Sequence, residues 1–380
     1  MALRLCAALA ALALAAVAGE ECTTAVIAGP AAEGGRPILW KNRDTEALSN
    51  KVVLVDEKPY RYLAVVNAED PSGRVAWGGL NDRGFAIINS VAYNLPARTG
   101  ENQNYEGIVM ADALRSCATV DDFEAYLKRN LGRRLGVRTN FCLIDARGGA
   151  SIFETHNHGY KRLDAGAGYL LNTNFSRSGE LDKGQGYLRF DRETALFEKA
   201  GGNLTPAFVL QEVARDLGHT LEHHPERSEW KKLPAGQPYW VHSNYTIDRP
   251  STASVLLVHG ETLWVMLGEP VCSIAVPLWV AAGEVPAELN EGREAPLSRE
   301  AGRLKALLRP LKGHDRYEYL DLTKLDNDAG TGWLPGNLAV EREIFAETAR
   351  FLSSRPAPAE LAAFQRGMAA KALARLREIR

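Results

Sequence analysis

Cys22 opens the run Cys-Thr-Thr immediately before a strand-like segment, and it lies three residues beyond a point where a leader would be cut. Arg4 precedes an apolar stretch from Leu5 to Ala18 that ends Ala16-Val17-Ala18. A charged start, a short apolar run and a small-x-small ending predict a secretory signal peptide over residues 1–18, hence a secreted or periplasmic protein. The stretch is too short for a membrane anchor, and no stable membrane insertion is expected once it is removed. If Gly19-Glu20-Glu21 is removed as a short propeptide, Cys22 becomes the first residue. A free α-amino group has a pKa of about 7.7–8.0, so it can act as general base for its own thiol. One residue then supplies both nucleophile and base, and no histidine is needed.

The other cysteines do not invite the same reading. Cys6 leaves with the leader, and Cys117, Cys142 and Cys272 are widely spaced, without CxxC pairs. That spacing excludes a zinc ribbon and a small disulfide scaffold. Cys117 and Cys142 sit in apolar contexts and read as buried, inert thiols. A net charge of −2 and the lack of a basic block with interleaved aromatics argue against nucleic acid as a partner. The sequence is silent on oligomeric state, and a homo-oligomer stays open.

Four polar clusters stand around the strand-like runs. Ile38-Leu39-Trp40-Lys41-Asn42-Arg43-Asp44 ends a strand in charge and amide groups. Gly79-Leu80-Asn81-Asp82-Arg83-Gly84-Phe85, Leu171-Asn172-Thr173-Asn174-Phe175 and Arg189-Phe190-Asp191-Arg192 follow in that order. A separate cluster, His219, His223 and His224, has two imidazoles four residues apart, a spacing that could share a metal on a helix. No glutamate follows His219 and Pro225 ends any helix, so an exposed polar helix end is the preferred reading. Neither a metal nor another cofactor is expected. Asp44 and Asn81 also fit ordinary turns, and Arg189 fits a helix-cap charge.

The elements that must position these residues alternate in kind. Strands are expected at Thr23–Ala28, Pro37–Lys41, Lys51–Asp56, Arg74–Gly79 and Phe85–Val91, with hairpins at Phe141–Asp145/Ala150–Glu154 and Ser254–His259/Thr262–Leu267. Helices are expected at Gly107–Cys117, at Val120–Lys128 behind a Thr119 N-cap, at Asp191–Lys199 and at Pro206–Leu217. The C-terminal part reads as helical and ends in an amphipathic segment with Leu361, Phe364, Met368, Ala372 and Leu376 on one face. Hairpins with helices inserted in blocks predict an α+β protein of antiparallel sheets covered by helices. No glycine-rich phosphate loop follows any strand. One catalytic domain over residues 22–285, with a helical extension over 286–380 packed on it, is the economical organisation.

Taken in order, Cys22 and the four clusters resemble the N-terminal-nucleophile (Ntn) hydrolase family of linear-amide hydrolases. That family includes the penicillin V acylases, the choloylglycine hydrolases and the isopenicillin N acyltransferases. The Cys-Thr-Thr opening is also similar to that of secreted Ntn dipeptidases. The resemblance covers roughly residues 22–277, including the late "LWVMLGEPVCSIAVP" stretch. It implies a four-layer αββα sandwich, Cys22 as nucleophile, and Asp44 orienting its amine. It further implies Asn81 and Asn174 as oxyanion donors and Arg189 beside the thiol. Either Lys41 or Arg43 would fill the place of the family's arginine, and Asn172 competes with Asn174. The substrate would be a small-molecule amide. Transfer of the acyl group to an amine, dipeptide cleavage, a metal-dependent hydrolase at His219/His223 and a non-catalytic secreted binding protein are the alternatives.

Overall fold

The computed structural model describes residues 21–101, 103–313 and 316–380. The segment expected as a signal peptide and the first two residues of the expected propeptide lie outside the described residues, whereas Glu21 lies inside them.

Among the described residues the strands form two large antiparallel sheets. Strands β1 (Glu21–Ile27) and β2 (Ile38–Asp44) belong to one; β3 (Asn50–Val55), β4 (Tyr62–Asn67), β5 (Gly78–Asn81), β6 (Ala86–Val91), β7 (Arg138–Ile144), β8 (Ala150–His156) and β9 (Gly159–Asp164) make the other, a seven-stranded meander. β10 (Tyr169–Asn172), β12 (Thr252–His259), β13 (Thr262–Leu267) and β14 (Val276–Leu278) complete a six-stranded sheet in the order β10-β1-β2-β12-β13-β14. Between these in sequence, β11 (Trp240–His242) pairs with β15 (Tyr319–Asp321) in a small ribbon.

Side-chain alternation along the strands sorts the core into layers. Leu63, Val65, Ala86, Ile88, Cys142 and Ile152 face the six-stranded sheet, whereas Ala64, Val66, Phe85, Ile87, Phe141 and Phe153 face the other way. Helices α1 (Glu106–Ser116) and α2 (Val120–Asn130) bury Met110, Leu114, Phe123 and Leu127 on that second face. On the far side of the six-stranded sheet lie α3 (Tyr187–Ala200), the π-helical turn Val209–Val213 and the helices Pro296–Leu308, Leu334–Ser353 and Pro358–Glu378. The architecture is therefore a four-layer αββα sandwich of class α+β, as expected. No helix among the described residues is long and apolar enough to cross a membrane.

Local signals set most boundaries. Thr119 Oγ1 accepts the Asp122 N–H at 3.1 Å, and Asp122 Oδ2 accepts the Thr119 N–H at 2.9 Å, a closed capping box on α2. Several elements differ from expectation, three of them near the site's scaffold. The strand expected at Arg74–Gly79 is a turn that enters the sheet only at Gly78, and β4, whose Tyr-Leu-Ala-Val-Val run was not anticipated, supplies the partner for both β3 and β5. The helix expected through Leu217 stops early because its carbonyls are diverted: Arg215 Nη1 takes the Leu210 oxygen and Asn42 Nδ2 takes that of Ala214.

Candidate active site

Cys22 is the second residue of β1, buried to 1% exposure. Thr24, two residues on, meets the Cys142 thiol of the seven-stranded sheet at 3.7 Å, whereas Thr23 meets Arg189 of α3. Alternation puts Cys22 on the Thr24 face, between the sheets. Its register partner on β2 is Arg43, and Lys41 pairs with Thr24.

The backbone N–H of Cys22, the nitrogen that would become the terminal amine, donates to Asn174 Oδ1 at 3.0 Å. Pairing of β10 with β1 explains why: Asn172 stands opposite Thr24, so the chain reaches Cys22 two residues later. Asn174 Nδ2 donates to the Val91 carbonyl, so the amide presents its oxygen to Cys22. Asn172 instead donates to Ser90 Oγ and the carbonyls of Thr173 and Phe175.

Arg189 reaches the same point from the first turn of α3. Its Nη1 donates to the Cys22 carbonyl at 2.8 Å and to Thr23 Oγ1 at 3.0 Å, and its Nη2 to Asn174 Oδ1 at 2.9 Å. Gly186 makes this approach feasible. It holds φ +80°, and a Cβ there would lie 2.7 Å from Arg189 Nη2 and 2.8 Å from Thr173 Oγ1. Asp44, at the end of β2, accepts Thr252 Oγ1 at 2.7 Å and Arg249 Nη1 at 3.2 Å. Burial raises the Asp44 pKa, and the charges of Arg249 and Arg189 pull it back only in part. Burial, followed by repulsion from Arg249, lowers that of Arg189.

Glu21 completes the cluster. Its Oε2 accepts Arg189 Nη2 at 2.9 Å and Arg249 Nη1 at 2.6 Å. Arg249 is fixed from behind by Asn244, whose carbonyl takes Nε at 2.6 Å and whose Oδ1 takes Nη2 at 2.7 Å. Asp44 and Glu21 thus balance Arg189 and Arg249 in charge.

Asn81 does not join this group, contrary to the expected convergence. Cys22 pairs with Arg43 at one end of β1–β2, whereas Asn81 lines a cavity with Arg36, Pro37 and Gly260 beyond Ile38, at the other end. Its Nδ2 donates to the carbonyls of Leu114 and Cys117, and its Oδ1 accepts the N–H groups of Arg83 and Phe85. It is a turn residue that ties β5 to the end of α1. Lys41 Nζ donates to Asn89 Oδ1 at 2.7 Å and to the Trp77 carbonyl at 3.1 Å, between the sheets. Arg43 donates to Asn50 Oδ1 and lies 4.4 Å over the Trp77 ring. Of the two, Arg43 is the nearer to Cys22 in register.

The histidine alternative loses its geometry. Residues 216–226 form no helix, His219 Nδ1 accepts the N–H groups of Leu221 and Glu222, and His223 is exposed. Among the described residues no group of three or more His, Cys, Asp or Glu is arranged to hold a metal ion.

Residues that sequence reasoning missed are Arg249, Thr252, Asn244 and Glu193. Asn244 and Arg249 precede β12 and Thr252 opens it; the hairpin of β12 was legible, but its pairing with β2, which sets Thr252 opposite Asp44, was not. Glu193 lies one turn beyond Arg189 on α3, fully buried, and neither carboxyl oxygen has a hydrogen-bond partner among the described residues. Burial drives its pKa well above the usual carboxylate range, against the pull of Arg189 and Arg177.

No protein-family model and no curated protein matches the sequence. Solved structures similar to this chain include the N-acylethanolamine-hydrolyzing acid amidase ortholog of Caenorhabditis elegans, at 13% identity and TM-score 0.42, over 62% of this chain and 92% of that one. Penicillin V acylase from Agrobacterium tumefaciens is similar at 14% identity and TM-score 0.36, over 67% and 86%. A variant of conjugated bile acid hydrolase from Clostridium perfringens is similar at 12% identity and TM-score 0.35, over 65% and 89%.

Proposed function

We propose that the chain is the precursor of a secreted amide hydrolase whose nucleophile is Cys22 and whose base is the amine released when Glu21 is cut away. The observation that carries this reading is the Cys22 nitrogen, held at 3.0 Å by Asn174 while Arg189 holds the Cys22 carbonyl at 2.8 Å. Both polar groups of the prospective terminal residue are thereby oriented before any terminus exists, and pre-orientation is what such catalysis needs.

Maturation begins when the thiol sulfur adds to the Glu21 carbonyl. The Glu21–Cys22 C–N bond breaks, the thiol proton goes to the departing nitrogen, and the propeptide is left as a thioester on Cys22. Water then adds to the thioester, releasing a carboxylic acid and restoring the thiol. In the mature chain the α-amine takes the thiol proton, the thiolate attacks a substrate amide, the amine product leaves with that proton, and water again clears the thioester. Asn174 and Asp44 orient the amine, and Arg189 supplies positive charge beside the sulfur.

The remaining thiols are poor competitors. Cys117 and Cys142 are buried, and burial pushes their pKa values up to about 11 and about 12. Cys272 is buried as well, and its pKa is raised for the same reason.

Intact mass and N-terminal sequencing of the secreted protein test the reading. Active protein is expected to begin at Cys22, and Cys22→Ala is expected to keep Glu21 and to show no turnover on a panel of amides. A preparation that is fully active while still carrying residues before Cys22 would refute it.

A further inference from the structure

We infer that the acyl group this enzyme accepts carries a carboxylate, placed as the side chain of a glutamyl residue places it. The inference rests on the proposed function: if Cys22 cuts the bond that precedes it, Glu21 is the first acyl group the thiol meets, and its side chain marks the acyl subsite.

That side chain is not loose at the surface. Its Oε2 bridges two guanidinium groups, Arg189 at 2.9 Å and Arg249 at 2.6 Å, which are only 2% and 7% exposed, while Glu21 itself is 25% exposed. The arginines are therefore buried beneath a carboxylate that has a way out. Neither can follow it. Arg249 is held from behind by both Asn244 oxygens and by Asp44, and Arg189 by the Cys22 carbonyl, Thr23 and Asn174.

Charge makes the vacancy selective. With Glu21 in place two cations face two carboxylates, Glu21 and Asp44. Once Glu21 leaves, one buried positive charge lacks its partner, and uncompensated buried charge is costly. A monoanionic acyl side chain of glutamyl length restores the balance, whereas a neutral isostere leaves the donors facing an amide. The Cys22 thiolate is the competing source of negative charge, but balance supplied by the thiolate is indifferent to the charge of the substrate. The two accounts can therefore be separated by paired substrates.

The full-length chain is produced, its first residue is read by intact mass, and it is assayed on Nα-acetyl-L-glutamyl and Nα-acetyl-L-glutaminyl p-nitroanilides. We expect kcat/KM to favour the glutamyl substrate by about five- to tenfold, since the carboxylate stays partly solvated and an amide can replace some of its contact. Arg249→Gln should collapse that ratio, and Arg249→Lys should restore part of it. Equal or faster turnover of the glutaminyl substrate overturns the inference and leaves the proposed function standing. If a chain that begins at Cys22 turns over neither substrate, hydrolysis of such amides fails as a function. The subsite is then judged by titration calorimetry of Nα-acetyl-L-glutamate against Nα-acetyl-L-glutamine: tighter binding of the glutamate supports it and equal affinities overturn it. A chain that retains Glu21 overturns both.

Discussion

Two buried guanidinium clusters do different work in this molecule. In the outer helical layer, Arg215 meets Glu341 through two parallel bonds of 2.8 Å, and its remaining donors go to the carbonyls of Pro270, Leu210 and Ser273. Glu341 in turn accepts Gln211 Nε2 and the Ala275 N–H, and both side chains are fully buried. Each partner belongs to the interior, so the cluster fastens the π-helical turn and the Pro270–Cys272 turn to the helix Leu334–Ser353. At the ends of β1 and β2, Arg189 and Arg249 are also buried and also balanced, but one of their two carboxylates belongs to the residue just before Cys22. A balance that every partner keeps is a clamp. A balance that depends on Glu21 can be opened by cutting one peptide bond.

The largest expected effect tests the clamp. Arg215→Met leaves Glu341 buried without its cation and should cost about 3–5 kcal/mol in urea unfolding. The double variant Arg215→Met/Glu341→Leu should recover most of that loss. A single-variant cost below about 1 kcal/mol would end the description of this cluster as a clamp.

The next effect separates the site from the scaffold. Asn174→Ala removes the acceptor from the Cys22 nitrogen and should lower kcat by about 10²-fold, as for a mispositioned general base. Asn81→Ala, at the other end of the sandwich, should leave turnover unchanged per folded molecule and cost about 1–3 kcal/mol, since buried backbone groups lose their partners. Reversal of these two outcomes would move the chemistry to the Asn81 cavity.

The smallest effect concerns Glu21 itself. Measured in a Cys22→Ala background, so that nothing is cut, Glu21→Gln should destabilise the fold by about 1 kcal/mol, because its carboxylate is partly solvated and amide bonding can replace some of the contact. A loss as large as that of Arg215→Met would make Glu21 a second clamp and erase the contrast between the clusters.

Much of this was legible in the residues. The hairpin of β12 and β13, the Thr119 cap and the amphipathic C-terminal helix follow from signals local in the chain, and the antiparallel α+β class from the order of such elements. Cys22, Asn174 and Arg189 were named from the order of their motifs, and the fold brings their atoms together. Asn81 shows the limit of such naming. Asn-Asp-Arg-Gly has the look of a turn whatever else it does, and here the Asn81 side-chain oxygen closes that turn while its amide nitrogen ties it to the end of α1.

What the sequence determined by itself is the kit: a thiol at the start of a strand, strands of the right period, caps, turns and a run of polar strand ends. Which strand ends meet was decided only by the tertiary structure. Asp44 and Arg249 are 205 residues apart and touch because β12 pairs with β2 rather than with another edge. Asn172 and Asn174 flank the same Thr173, and only the register of β10 on β1 gives the Cys22 nitrogen to the second. Local propensity carries no information about a partner that far along the chain. Pairing and register are settled by which faces the two sheets bury against each other, and a slip of one residue would turn every one of these side chains to the opposite layer.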